Sequence, residues 1–179
     1  MFSVGGQKSN MKEIEIFGAN RFETFTKTRS GSRAVVINNG KMLLSHETGS
    51  GWWLIPGGGL EENESPEECC VREVEEETGY IVSPVLKFLK IYEFYEEYRY
   101  ISHYYVCEVT GHGQMALTEA EKKRGLEPQW LPLNEAIDIF SCHQKYADIS
   151  EEKRGSYLRE YTALSEYIKL KIQPEQKII

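Results

Sequence analysis

The stretch GGLEENESPEECCVREVEEETGY, residues 58–80, decides how this 179-residue chain is read. It carries nine glutamates against a single arginine, Arg72. Like charges at i, i+3 or i+4 on a helix repel, so a helix with this composition needs something to offset the repulsion. The local signals for a helix are nonetheless strong. Ser65 is a good N-cap, Pro66 sits at the first helical position where its missing N–H is harmless, and Glu68 completes a Ser-x-x-Glu capping box. Glu67 and Glu68 fall at the positive end of the helix dipole, and Gly79 suits the C-terminal cap. The spacing predicts a helix from Pro66 to Thr78.

On that helix Glu73, Glu76 and Glu77 are related by i+3 and i+4 and share one face, while Cys70, Val71, Val74 and Thr78 form the opposite face, suited to packing on a sheet. Three converging carboxylates raise one another's pKa or demand a counter-charge. Hard divalent cations with oxygen ligands supply one. The competing reading is a solvated acidic face, but such faces usually intersperse lysine, and this one has only Arg72. The Asp/Asn-rich loop of an EF-hand calcium site is absent.

The acidity is local. The net charge is −7, the stretch alone contributes −8, and −7 − (−8) leaves +1 for the remainder. A single acidic cluster on a near-neutral body points to bound cations, and without an extended basic stripe nucleic acid is disfavoured as a partner. Cys69, Cys70, Cys107 and Cys142 form no CxxC pair, so free thiols in a reducing cytoplasm are expected instead of a zinc site or a disulfide framework. No apolar run of about 18 residues is present, and no membrane span is expected. The N-terminus lacks a signal-peptide pattern, which points to the cytoplasm. Residues 1–11 read as a flexible leader, with Met11 an alternative start, before a single domain over 12–179.

Around the acidic helix the chain reads as strands, then helix, then strands, then helices. Residues 12–18 and 21–27 alternate in polarity as short strands. Ala34 to Ile37 and Met42 to Leu44 flank Asn38-Asn39-Gly40, a hairpin signal. A short strand at Trp52 to Ile55 leads into a Gly-rich loop, and Trp52 and Trp53 point to opposite sides, so at most one faces a cleft. Two aromatic-rich strands turn near Glu96 to Arg99, residues 127–133 form another strand, and a helix follows Pro132. A C-terminal helix over 156–171 has apolar residues at 158, 161, 164 and 167/168; it either caps the domain or joins a homodimer. The pattern gives an α/β (α+β) layered domain around a mixed sheet.

Gly58, five residues, Glu64, seven residues, and then Arg72-Glu73-Val74-x-Glu76-Glu77-x-Gly79-Tyr80 resembles the Nudix box, the signature of the Nudix hydrolase superfamily. Only Tyr80, at a usually aliphatic position, departs from it. With the hairpin before the box and WLPLNEA after it, the likeness extends over roughly residues 30–140. It implies the Nudix α/β/α sandwich and Mg²⁺- or Mn²⁺-dependent hydrolysis of a nucleoside diphosphate linked to another moiety. Glu73, Glu76 and Glu77 resemble the family's metal-binding glutamates, and the residues leave open which of them takes the proton from water. Glu64 resembles its loop glutamate, Arg72 its structural arginine, and Gly57 and Gly58 sit where a backbone carbonyl ligates metal. The expected catalytic residues are thus Glu73, Glu76 and Arg72; the expected metal ligands are Glu73, Glu76, Glu77, Glu64 and the Gly57 carbonyl.

Glu119, Glu121 and Glu127 are candidates for a later-loop ligand or base, although an exposed charge is the simpler reading of each. His103, His112 and His143 have no partners at ligand spacing. A nucleobase has many aromatic residues within 91–105 to stack on, and none is singled out. The substrate ranges over nucleoside triphosphates, nucleotide sugars, ADP-ribose and dinucleoside polyphosphates; a proline that marks some ADP-ribose enzymes is replaced by Phe94. The alternative function is a non-catalytic Nudix-like nucleotide sensor, whose box is usually degraded; this box is intact.

Overall fold

The computed structural model describes residues 11–172, so the first ten residues of the expected leader lie outside the described residues. The strands are β1 (Lys12–Phe17), β2 (Lys27–Asn38), β3 (Lys41–Glu47), β4 (Trp52–Leu54), β5 (Gly57–Gly59), β6 (Tyr80–Tyr95), β7 (Tyr98–His112) and β8 (Leu126–Pro132). The helices are α1 (Pro66–Thr78), α2 (Glu119–Arg124), α3 (Leu133–Ser141) and α4 (Glu151–Ile172), with a 3₁₀ turn over Cys142–Tyr146. The strands form one mixed sheet in the order β1-β6-β7-β2-β3-β4, with β5 paired to β2 and β8 to β3. β1 runs parallel to β6 and β2 parallel to β7; the remaining pairs are antiparallel.

Alternation along β2 builds both faces at once. Ala34 and Val36 join Leu43, Cys70, Val74, Val82, Tyr105 and Cys107 under α1. Val35, between them, turns the other way and joins Met42, Leu44, Leu89, Tyr104, Phe140, Tyr157 and Leu164 under α3 and α4. A period of two sends neighbours to opposite faces, so one strand feeds a core above and a core below. The result is the expected α/β/α sandwich around a mixed sheet.

Local signals hold where expected. Ser65 Oγ accepts from the Glu68 N–H, Glu68 reaches back to the Ser65 N–H, and Gly79 closes α1 in the left-handed region at φ 71°. Asn39 (φ 50°) and Gly40 (φ 74°) make the β2–β3 turn. All four cysteines are free, and the buried Sγ atoms of Cys70 and Cys107 stand 3.8 Å apart. No helix among the described residues is long and apolar enough to cross a membrane.

Three elements differ from the sequence reading. Residues 21–26 are not a strand. Their alternation imitates one, but the N–H groups of Phe22 and Thr26 donate to the Glu96 and Glu97 carbonyls, fastening the segment to the β6–β7 turn. Helix α2 is short and closed by its own Thr118–Glu121 capping box. Helix α4 begins at Glu151, five residues before the expected 156, and its buried stripe is Tyr157, Glu160, Ala163/Leu164 and Tyr167. Leu158, Tyr161 and Ile168, which the apolar spacing placed at the centre, are only partly buried at its edge. A glutamate at the middle of the stripe hid the true period.

Candidate active site

Two glycine-rich segments meet beside α1. β5 pairs with β2 through Gly31–Gly59, Ser32–Gly58 and Arg33–Gly57. Gly57 adopts φ 147°, and a Cβ there would collide with the Ser32 carbonyl. Gly58 faces the helix: a Cβ on it would lie 2.5 Å from the carboxyl carbon and both oxygens of Glu73. Only glycine permits this approach, so the loop sequence itself lets the Glu73 carboxylate lie against the backbone.

Arg72 organises the remaining acids. Its Nε donates to Glu64 Oε1 (2.7 Å) and its Nη2 to Glu64 Oε2 (2.9 Å), a two-pronged pair. Nη1 donates to both Glu73 Oε1 and Glu76 Oε2, each at 2.9 Å, and Nη2 also reaches the Gly59 carbonyl at 3.0 Å. The hydrogen bond from Arg72, supported by the Glu61 N–H, holds the Glu64 carboxyl down at about 2. Burial pushes Glu73 upward against the pull of Arg72, and the nearby charges of Glu76 and Glu121 add to the rise.

Glu77 goes elsewhere. It sits at i+4 from Glu73 but also at i+3 from Val74, on the boundary between the acidic and packed faces. The helix buries it: Oε2 accepts from Ser45 Oγ (2.8 Å) and from the Gly57 N–H (3.2 Å). Burial pushes its carboxyl up to about 8, despite the Ser45 hydroxyl, the Arg33 charge and the Gly57 amide. The sequence face of three projecting glutamates is thus split in this geometry. Glu73 and Glu76 meet at Arg72, while Glu77 turns under the glycine loop. Among the described residues, no three His, Cys, Asp or Glu side chains are gathered tightly enough to hold an ion as they stand.

The donor chemistry nevertheless suits a hard divalent ion. Glu73, Glu76, Glu77 and the Gly57 carbonyl are all oxygen donors. Three carboxylates, Glu64, Glu73 and Glu76, share the guanidinium of Arg72, and a fourth, Glu77, lies beside them with no arginine of its own in direct contact among the described residues. Two of them are pushed toward the neutral form by burial, and a cation relieves that strain. Of the later candidates, Glu121 is the one whose charge is felt at Glu73. It also caps α2 through Thr118. Glu119 pairs with Lys122 and Glu127 accepts from Gln129, both on the surface.

A cavity of about 640 Å³ opens on the α4 side of the same strands, lined in part by Arg29, Arg33, Trp52, Tyr95, Arg124 and Arg159. Arg33 joins it to the loop, donating through Nη1 to the carbonyls of Ile55 (3.2 Å) and Gly57 (3.3 Å). Trp52 faces this cavity while Trp53 stacks on His46 with centroids 3.9 Å apart, so the two tryptophans do part. Glu47, Glu93, Glu96 and Glu152 also line it, matching its four arginines one for one. Arg124 pairs with Glu47 and Arg159 with Glu93. None of these arginines was singled out in the sequence: Arg29 and Arg159 are 130 positions apart and become neighbours only through the sheet and α4.

The comparisons with known proteins agree with this architecture. The NUDIX domain model matches residues 27–152. Diphosphoinositol polyphosphate phosphohydrolase 3-alpha of Mus musculus is 28% identical over 103 residues, 58% of this chain. The chain spans 61% of the length of that curated relative. A NUDIX hydrolase from Nitrosomonas europaea matches 76% of this chain and 90% of its own, with TM-score 0.52 at 21% identity. The E. coli ORF135 protein in solution matches 85% of this chain and 96% of its own, with TM-score 0.55 at 18% identity. At such identities the solved structures speak for the fold, whereas the family model covers most of the chain and includes the whole motif. The chain therefore belongs to the NUDIX domain family, the Nudix hydrolases.

Proposed function

We propose that this chain hydrolyses the pyrophosphate bond of a nucleoside diphosphate linked to another moiety, with Mg²⁺ or Mn²⁺. The observation that carries the reading is the excess of carboxylate over cation beside the glycine loop: three glutamates share Arg72, Glu77 is buried next to them, and Gly58 is shaped to admit Glu73. Bound Mg²⁺ or Mn²⁺ would supply the positive charge that draws in a diphosphate and neutralises the leaving group. Glu73, Glu76 and the Gly57 carbonyl would hold it, with Glu77 beneath the loop and Glu64 acting through Arg72. Arg72 holds the Glu73 and Glu76 carboxylates side by side, each at 2.9 Å from Nη1. A carboxylate must also accept the proton of the attacking water. Glu73, made more basic by burial and by Glu76 and Glu121, suits that step.

The cavity beside Arg33 suits the organic part of the substrate. Its volume falls within the range of small-molecule sites, and Trp52, Tyr95 and Tyr100 offer aromatic surface. The mouse relative is named for diphosphoinositol polyphosphates, and four arginines in one cavity favour that second reading. Against it, Glu47 and Glu93 already pair two of the four, and the lining is charge-balanced. A ring carrying many phosphates needs uncompensated cations; a nucleoside does not.

The test is a panel of nucleoside triphosphates, nucleotide sugars, ADP-ribose, dinucleoside polyphosphates and a diphosphoinositol polyphosphate. Each is incubated with Mg²⁺, and both products are identified by mass. We expect turnover of a nucleotide derivative, reduced on the order of 100-fold by Glu76→Gln. Turnover of the inositol compound alone would favour the second reading. Nucleotide binding without turnover in wild type and variant alike would mean a sensor.

A further inference from the structure

Between the sheet and α4 lies a buried lattice of two acids and two arginines. Glu160 is completely buried. It accepts from Tyr104 Oη (2.9 Å) and Arg159 Nη2 (2.6 Å), and Arg33 Nε stands 3.6 Å away. Arg159 also donates to buried Glu93 at 3.3 Å. Such an assembly is no bargain for stability, since well-packed apolar residues often serve as well or better. Its geometry suggests another purpose. The far side of Arg33 donates to the Ile55 and Gly57 carbonyls on either side of Pro56, at the entry to the glycine strand. The N–H of that same Gly57 donates to Glu77. An unbroken path of polar contacts thus runs from Glu160 on α4, through Arg33, to the Gly57 peptide and Glu77 on α1.

We propose that Glu160 is a positioning residue for the candidate active site: its charge fixes the Arg33 guanidinium, and Arg33 fixes Gly57, whose carbonyl accepts from Arg33 and whose N–H donates to Glu77. This rests on the reading of Gly57 given above. A guanidinium has five donors in a rigid fork. Arg33 spends Nη1 on the two carbonyls only while Nε is held from behind by Glu160 and Arg159 is kept off by Glu93. With Glu160→Gln, Arg33 is free to swing into the adjoining cavity, which it already lines. The Gly57 peptide, at φ 147° and held in strand pairing by only three residue pairs, then loses its clamp.

The experiment compares wild type with Glu160→Gln, Arg33→Lys and the double variant. Glutamine keeps the shape and the Tyr104 hydrogen bond but not the charge. The first readout is hydrogen exchange of the Gly57 amide in metal-free protein, and the second is Mn²⁺ affinity by calorimetry, followed by kcat and KM. We expect Glu160→Gln to speed Gly57 exchange and weaken Mn²⁺ roughly 10-fold, the scale seen when a supporting group behind a ligand is lost. kcat should fall while KM changes little. The double variant should be no worse than the worse single, because both act on one path. A lowered melting temperature with Gly57 exchange and Mn²⁺ affinity unchanged would overturn the proposal, as would additive losses in the double variant. If wild type bound no Mn²⁺ and hydrolysed nothing, the functional reading would fall. The Gly57 exchange in metal-free protein would still decide whether Glu160 positions the peptide.

Discussion

Replacing Glu77 with glutamine isolates the electrostatic cost of the site in metal-free protein. The Glu77 carboxyl is pushed up to about 8 by burial, from an ordinary value of 4.5. An acid whose folded pKa lies above its unfolded value contributes stability that is fully present below 4.5 and is lost as pH rises toward 8. Within that window each pH unit costs about 1.4 kcal/mol. From pH 5 to pH 7.5 the difference therefore amounts to roughly 3 kcal/mol. Glutamine is neutral throughout and retains an oxygen to accept from Ser45 and the Gly57 N–H. In urea unfolding with EDTA, the two proteins should differ little at pH 5. By pH 7.5 the Gln variant should be more stable by about 3 kcal/mol, a midpoint shift of roughly 1–3 M. Mn²⁺ should stabilise the wild type more than the variant and so narrow or reverse the gap. A gap that stayed constant between pH 5 and 7.5, or that opened in favour of the wild type, would refute the reasoning.

Gly58→Ala should abolish most activity and weaken Mn²⁺, because the added Cβ meets the Glu73 carboxyl at 2.5 Å; calorimetry beside a melting curve would separate this from unfolding. Gly155→Ala improves helix propensity by about 1 kcal/mol yet collides with the Tyr95 hydroxyl. A net destabilisation of about 1–3 kcal/mol in urea is expected, and a gain in stability would show that Tyr95 moves freely. Ser65→Ala removes one half of the capping box on α1 and should cost about 1 kcal/mol by the same measurement, with KM little changed.

Much of this molecule is legible in the sequence because local and tertiary demands coincide there. Ser65, Pro66, Glu68 and Gly79 specify α1 without help from the rest of the chain, and the observed helix has the expected ends. Asn39 and Gly40 specify the β2–β3 hairpin in the same way. The misreadings arise where a side chain answers to a distant partner. Phe22 and Phe25 alternate like a strand, but their segment is tied to a turn more than 70 positions away. Glu160 reads as the polar side of a helix, yet Tyr104, Arg159 and Arg33 draw it to the centre of the buried stripe. Glu77 shares a periodicity with Glu73 and also with Val74, and Ser45 on β3 decides between them. The Nudix spacing places these glutamates on one helix beside the glycine strand; the direction each carboxylate takes depends on strands the motif does not contain.

The parallel pairing of β2 with β7, in register from Lys27–Tyr98 to Val36–Cys107, bears on how the chain acquires its shape. Each of those pairs joins positions about 71 apart, and β3 must wait still longer for β8, with Lys41 meeting Pro132. Closing contacts so distant before local ones can reward them slows folding. On a ribosome the hairpin β2–β3 and helix α1 emerge early, with the motif intact but one flank of the sheet missing. The guanidinium that donates to the Ile55 and Gly57 carbonyls meets Glu160 only when α4 arrives, so a segment made long after the motif completes the motif's surroundings.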